Sequence, residues 1–177
     1  MILEELEHAR RRGAAIYAEL VGFGAAADPH GWSEPASDGS AVALAARKAL
    51  SDASLAADSV DLVATLGAGL PAHDQSEARA IHAVLGSRAG EVPALATKGA
   101  IGNNGAGSGA IDVGLAALCI KHQTIPASKT TERVDPACNL NVVRGQPADA
   151  RIDAALSLAY ALGGGQTAAL VLRRFDD

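Results

Sequence analysis

Aromatic side chains are scarce in this chain, with two phenylalanines, two tyrosines and one tryptophan among 177 residues. Few platforms remain on which bases could stack, and a net charge of −5 supplies no basic surface for a phosphate backbone. A nucleic-acid partner is therefore excluded. The run Arg10-Arg11-Arg12 is too short to alter this and reads as a solvated helix end. Cysteine is nearly absent as well: Cys119 falls within an apolar helical pattern and Cys138 within a loop, which makes neither a disulfide framework nor a metal site. His8, His30, His82 and His122 have no ligand-type spacing, so no metal is expected. No run approaches the ~20 apolar residues of a membrane span and the N-terminus has no apolar signal core, which points to a cytoplasmic chain without a membrane partner.

What the chain does have is apolar mass and glycine. With 49% hydrophobic and 20% charged residues it can bury a core as one domain over residues 1–177, and no repeat, low-complexity tract or linker divides it. The stretch that organises it is Thr97-Lys98-Gly99-Ala100-Ile101-Gly102-Asn103-Asn104-Gly105-Ala106-Gly107-Ser108-Gly109-Ala110, which follows a short apolar segment and leads into a helix ending near His122. Glycines placed between a strand and a helix let the backbone take positive φ or approach another group closely. In the helix, Ile111, Leu115, Leu118 and Ile120 among small residues predict burial on most faces. Neither G-x-G-x-x-G nor G-x-x-x-x-G-K-[ST] is spelled, since Lys98 precedes the glycines, so no phosphate-binding loop and no cofactor are expected.

Elsewhere the pattern predicts a helix over residues 3–12, acidic first and arginine-rich last as the helix dipole favours, ended by Gly13. Residues 14–23 read as a strand, 25–39 as a loop with a turn at Asp28-Pro29-His30, and 40–53 as an alanine-rich helix with Ser40 as its N-cap. A strand over 60–65 precedes Asp74-x-x-Glu77, which has two readings: a capping box opening a helix over residues 75–85, or a pair of site residues. Near the C-terminus, two apolar runs joined by Gly163-Gly164-Gly165 read as a hairpin.

Lys98-x-x-x-Gly102-Asn103 runs through small residues to Gly109-Ala110, and Leu66-Gly67-Ala68-Gly69 stands ahead of Asp74-x-x-Glu77. Ile125-Pro126, Asp135-Pro136-x-Cys138-x-Leu140 and Leu156-Ser157-Leu158-Ala159-Tyr160-Ala161-Leu162-Gly163-Gly164-Gly165-Gln166 follow. Together these segments resemble the β-ketoacyl synthases, which read K-x-x-x-G-H-x-x-G-A-A-G-A, H-G-T-G-T before D-x-x-E, I-P-P-T, D-P-x-C-x-L and L-S-N-S-F-G-F-G-G-x-N. The opening of the chain is similar to the middle of that family's sequence, where a helix leads into a strand of the second half. The resemblance implies the C-terminal half of a thiolase-like α/β fold, with a central mixed sheet covered by helices. It also implies that the nucleophilic cysteine belongs to the half that precedes this point in the family.

By the same resemblance, Leu66 and Asn103 stand where the family has two catalytic histidines, which support decarboxylation of a malonyl extender and hold the thioester carbonyl. A leucine side chain can neither donate, accept nor ionise, and an asparagine amide donates but exchanges no proton at neutral pH. Losing one such group lowers a rate about 10²–10⁴-fold, so no catalytic residue is assigned. Asp74, Glu77 and Lys98 match the family's supporting polar residues. A buried lysine needs a carboxylate partner, so Lys98 paired with Glu77 would hold the loops in place; the alternative is a residual polar pocket of Asp74, Glu77, Lys98 and Asn103 that binds a carrier-linked acyl chain. Leu162 takes the place of the family's gating phenylalanine at the acyl pocket. His73 is expected to be solvated at a helix start, and Cys119 is no nucleophile because an apolar helix interior raises its pKa.

The implied function is a non-catalytic ketosynthase-like subunit of a type II polyketide or fatty-acid synthase, similar to chain-length factors. It would pair with a ketosynthase, or with a chain supplying the N-terminal half, and shape the acyl pocket. Two other readings stay open: a composite acyltransferase or thioester-processing enzyme whose cysteine sits on the partner, and a scaffold that binds acyl carrier protein. Such a half would expose a large apolar face.

Overall fold

The computed structural model describes residues 1–29, 34–162 and 165–176. The first helix forms where its cap is. Glu5 accepts hydrogen bonds from the backbone N–H of Glu7 and of His8, both at 2.9 Å, so α1 (Leu6–Arg11) starts after it and not at residue 3. Gly13, at φ +67°, ends the turn. Strand β1 (Glu19–Ala27) begins later and runs further than the expected 14–23, because its partner β8 (Gln166–Arg173) pairs with it antiparallel from Glu19↔Arg173 to Ala27↔Gln166. Of the turn expected at Asp28-Pro29-His30, the last residue lies outside the described residues. In α2 (Ser40–Asp52), Ser40 is the first helical residue and not the cap. Gly39 occupies the cap position in the left-handed region, and the Asp38 carboxylate accepts the Ser40 N–H at 3.0 Å.

The chain continues through β2 (Leu62–Ala64), α3 (Pro71–Leu85), β3 (Pro93–Leu95), α4 (Lys98–Ile101) and α5 (Ser108–His122). Then come β4 (Thr124–Ile125), β5 (Asn141–Val142), β6 (Ala148–Asp149), β7 (Ala154–Tyr160) and β8. Helix α3 starts at Pro71, whose fixed φ and missing N–H suit a first helical position, so Asp74 lies inside the first turn and the capping-box reading fails. The expected C-terminal hairpin is present as β7 and β8, paired antiparallel; Gly163 and Gly164 of its turn lie outside the described residues.

The main sheet has the order β1-β8-β7-β2-β3-β5, antiparallel from β1 to β7 and parallel from β7 to β5. It is a mixed sheet, as expected, and helices cover both faces. On one face, Ala45, Ala49 and Leu50 of α2 and Ile81 and Leu85 of α3 pack on Val63, Leu156, Leu158 and Val171. On the other, Val113, Ala116 and Ile120 of α5 pack on Leu62, Leu95, Ala155 and Leu172. Helix α5 is buried on one side only, contrary to the expectation of burial on most faces. Its opposite side carries Ala110, Ile111 and Leu118 in solvent, and its one charged residue between Ser108 and Ile120, Asp112, is buried.

Two glycines set the spacing of α2 on the sheet. A Cβ at Gly22 would lie 2.2 Å from the Ala49 carbonyl oxygen, and one at Gly24 would lie 2.0 Å from that of Ala45. The helix therefore rests directly on the backbone of β1, and its side chains reach past that strand's free edge. Asp52 accepts the Phe23 N–H and Lys48 Nζ donates to the Ala25 carbonyl, each at 2.9 Å. These are outward groups of an edge strand, and covering them keeps the edge from templating another strand.

Gly24→Ala forces backbone apart and should destabilise the chain by about 1–3 kcal/mol, measured as a lowered thermal midpoint. Gly114→Ala in α5 meets nothing within 4 Å and should raise the midpoint, by up to about 1 kcal/mol of helix propensity.

Candidate functional site

The carboxyl ends of the parallel strands β2 and β3 open onto a cleft of about 470 Å³. This is where open α/β sheets commonly bind ligands. One wall is the loop after β2, where Gly67 and Gly69 take φ of +52° and +74° before α3 begins. A second is the turn of α4 with Asn103 beyond it, and a third is the segment carrying Ser128, Thr130 and Asp135. Asp74, Glu77, Lys98 and Asn103 all line the cleft, so the fold brings the four expected polar residues together.

Their partners differ from the expected ones. Glu77 is buried, and its two carboxylate oxygens accept the backbone N–H of Leu66 at 2.7 Å and of Gly67 at 3.0 Å. Burial pushes its pKa up to about 7 against the opposing effect of these amides. Asp74, one turn earlier, faces the amides of Ala68, Gly69 and Leu70, and burial raises its pKa too. Lys98 pairs with Asp112 of α5 and not with Glu77, a correction to the expected ion pair. The other Asp112 oxygen accepts the Thr97 hydroxyl at 2.9 Å. Glu77 is already committed to backbone amides, so the lysine needs another carboxylate, and both side chains of the pair are almost fully enclosed, at 4% and 1% exposure. Asp112 went unassigned in the sequence, yet a single acidic residue inside an otherwise apolar helix is itself the signal of a buried partner.

Asn103 builds its own turn. Its side-chain oxygen accepts the Gly105 N–H at 2.9 Å and the Ser108 hydroxyl at 3.0 Å, while Ser108 in turn accepts the Asn104 N–H. Two donors on one atom identify it as the oxygen and leave Nδ2 as the amide's donor. Leu66 is buried and its side chain does not line the cleft. Leu162 lies outside the cleft lining, half in solvent beyond the end of β7. His73 is buried, contrary to expectation, stacked on Tyr160 with ring centroids 6.2 Å apart and planes within 8°. Cys138 also lines the cleft, and burial, followed by the charges of Asp135, Asp74 and Glu77, raises its thiol pKa. Burial raises that of Cys119 to about 11, as expected of a helix-interior thiol. Neither is a ready nucleophile.

A larger hollow of about 560 Å³ holds none of these residues. It is bordered by Arg173, Arg174, Asp153 and Glu19, which neutralise one another in exposed ion pairs. Among the described residues, no group of histidine, cysteine and carboxylate side chains could hold a metal ion, and no helix is long and apolar enough to cross a membrane.

A mixed sheet layered between helices, with polar residues gathered at the carboxyl ends of its parallel strands, defines an α/β protein whose cleft is built on loops after β2 and β3. Residues 17–132 match the family described as "Beta-ketoacyl synthase, C-terminal domain", and the chain belongs to that family. It is 32% identical over 176 residues to 3-oxoacyl-[acyl-carrier-protein] synthase 2 of Coxiella burnetii, covering 99% of this chain and 42% of that protein. It is 35% identical over 172 residues to the tetracenomycin polyketide synthase ketoacyl synthase alpha subunit of Streptomyces glaucescens, covering 97% of this chain and 40% of that one. The fold superposes on the ishigamide ketosynthase/chain length factor with a TM-score of 0.90 at 29% identity, over 98% of this chain and 42% of that chain. It superposes equally well, at a TM-score of 0.93 and 31% identity, on a type II polyketide synthase ketosynthase solved with its acyl-carrier protein, again over 98% of this chain and 42% of that one. The fold is thus thiolase-like and matches the C-terminal part of a ketosynthase, and the chain spans about two-fifths of the length of the relatives it matches.

Removing Asp112 strands a buried ammonium. Asp112→Ala should cost about 3–5 kcal/mol in denaturant-induced unfolding, and the apolar double replacement Lys98→Met with Asp112→Leu should recover most of it.

Glu77 binds protons more tightly folded, at about 7, than unfolded, near 4.5. Its contribution to stability is therefore greatest below pH 4.5 and is lost as pH rises to about 7. Thermal midpoints measured between pH 4.5 and 7.5 should fall with pH in the parent, and Glu77→Gln should flatten that slope.

Proposed function

We propose that the chain is a non-catalytic ketosynthase-like subunit of a type II polyketide or fatty-acid synthase. It pairs with a ketosynthase, or with a partner that supplies the N-terminal half of the fold, and shapes the acyl pocket. The observation that carries this reading is the condition of the cleft. Its scaffold is intact, with Glu77 holding the loop after β2 and Asp112 holding Lys98, while the positions that match the family's histidines are a buried leucine and an asparagine occupied by its own turn. Neither can shuttle a proton. The relatives that include a chain length factor and a ketosynthase bound to its acyl-carrier protein support such partners for this chain as well. The pairing surface we assign is the uncovered side of α5, where Ile111 and Leu118 stand in solvent on a stripe without charge. Leu162, exposed beyond the end of β7 and outside the cleft lining, would act as a gate only at a pocket that the partner completes.

A second reading is favoured by the cleft's remaining polar groups. Asn103 Nδ2, Ser128 and Thr130 could hold the carbonyl of an acyl thioester attacked by a cysteine on the partner, which would make a composite acyltransferase.

Product formation by the synthase purified from its source separates these readings. Asn103→Asp keeps the turn's acceptor oxygen and deletes the amide donor, and should leave product formation within about twofold, whereas Ile111→Glu with Leu118→Glu should abolish both product and co-purification of a ketosynthase chain. A loss on the order of 10²-fold for Asn103→Asp would favour the composite enzyme.

A further inference from the structure

The side of the main sheet that carries α5 is only partly covered. Helix α5 lies across β7 with β8 and β2 on its flanks, and its buried residues pack on Ala155, Leu172, Leu62 and Leu95. Directly paired residues of an antiparallel ladder share a face. Leu20 is opposite Leu172, Phe23 opposite Leu170 and Ala25 opposite Ala168, so Leu20, Phe23 and Ala25 lie on the α5 side of β1. Among the described residues no helix packs on β1 from that side. Phe23 is 56% exposed and Leu20 44%, Ala25 stands in solvent, and Ala168 and Leu170 are half-buried beside them. None of these five side chains is charged. Packed helices lie about 8–10 Å apart and strands about 4.8 Å, so a second helix beside α5 would run two strands further over, along β8 and β1. The sheet has room for two helices on this side and holds one.

The chain itself exposes a helix with the surface that this strip of sheet requires. On the uncovered side of α5, Ile111, Leu115 and Leu118 recur at helical spacing, the first and last in solvent and Leu115 half-buried. We propose that, where no ketosynthase chain is present, two copies pair about a twofold axis, each laying its α5 over β8 and β1 of the other. Helix and strip belong to one continuous patch, so the surface is self-complementary, as a twofold interface needs. Helix α5 has 15 residues, which makes the patch about 22 Å long and, at two helix widths, about 20 Å across, near the lower end of what a stable dimer buries. Pairing through the sheet edge is opposed, because Asp52 and Lys48 occupy outward groups of β1. A net charge of −5 likewise opposes an anionic lipid surface. The dimer stands independently of the function proposed above. Its exclusion of a ketosynthase chain rests on that reading, since both partners would use α5.

The test is sedimentation equilibrium of the full chain, purified without any partner, alongside Phe23→Glu on the strip and Leu118→Lys on the helix. Both positions are exposed, and circular dichroism checks that each variant folds as the parent does. The parent should sediment at twice the mass of one chain. Either variant alone places an unpaired charge at two related points of the interface and should weaken association by about tenfold or more. An equimolar mixture of the two should recover the dimer, because the lysine on one copy's α5 then meets the glutamate on the other's β1 while the second contact stays apolar. A parent that is monomeric at every concentration overturns the proposal, as does a dimer that survives both variants or a mixture that fails to recover. A monomeric parent that still captures a ketosynthase chain from its source overturns the dimer and leaves the proposed function standing.

Discussion

The buried pair of Lys98 and Asp112 fixes the geometry on which the cleft depends. Lys98 opens the short helix after β3, and Asp112 lies in the first half of α5, so the pair clamps both ends of the glycine-rich segment between them. Thr97 adds a hydroxyl to the same carboxylate. With its ends held, that segment can carry glycines, an exposed Asn103 turn and a 3₁₀ turn over residues 105–107 without losing its course. A buried ion pair is a weak source of net stability, but breaking one is severe, and this one stands where the chain has little else to hold it. Glu77 plays the corresponding part on the opposite wall, where its carboxylate takes the place of a strand partner for the amides of Leu66 and Gly67.

The polar groups of the cleft are engaged mainly with its own loops. Glu77, Asp74, Lys98 and Asp112 position these loops. The groups at positions 66 and 103 have been absorbed into structure, one as a buried apolar side chain and the other as the acceptor of a local turn. The same economy of surface marks the outside. Lys48 and Asp52 close the free edge of β1, whereas the exposed side of α5 carries no charge to oppose packing. One surface has its free edge covered and the other exposes an uncharged apolar stripe.

Much of this was legible in the sequence, and the failures have physical causes. The hairpin of β7 and β8 was readable because turn glycines are local signals, whereas the mixed sheet and the gathering of Asp74, Glu77, Lys98 and Asn103 followed from the resemblance to the β-ketoacyl synthases. The partner of Lys98 was not readable. The resemblance placed Glu77 near it, but nothing in the motifs said that two loop amides would occupy Glu77 first. The start of α3 was hidden because Asp74-x-x-Glu77 imitates a capping box, although Pro71 is the stronger helix opener. The length of β1 depended on a partner strand more than a hundred residues away, and the burial of His73 on a stacking contact with Tyr160. Both are tertiary facts with no local signature.

The central claim is that this chain works as a non-catalytic subunit paired with a ketosynthase through α5. The most direct test is the native mass of the complex purified from its source, with every component identified by mass spectrometry. The account predicts a heteromer that includes a chain carrying the cysteine-bearing half of a ketosynthase. A stable monomer whose α5 amides exchange as slowly as those of its core strands would contradict it, because the apolar side of that helix would then need no partner.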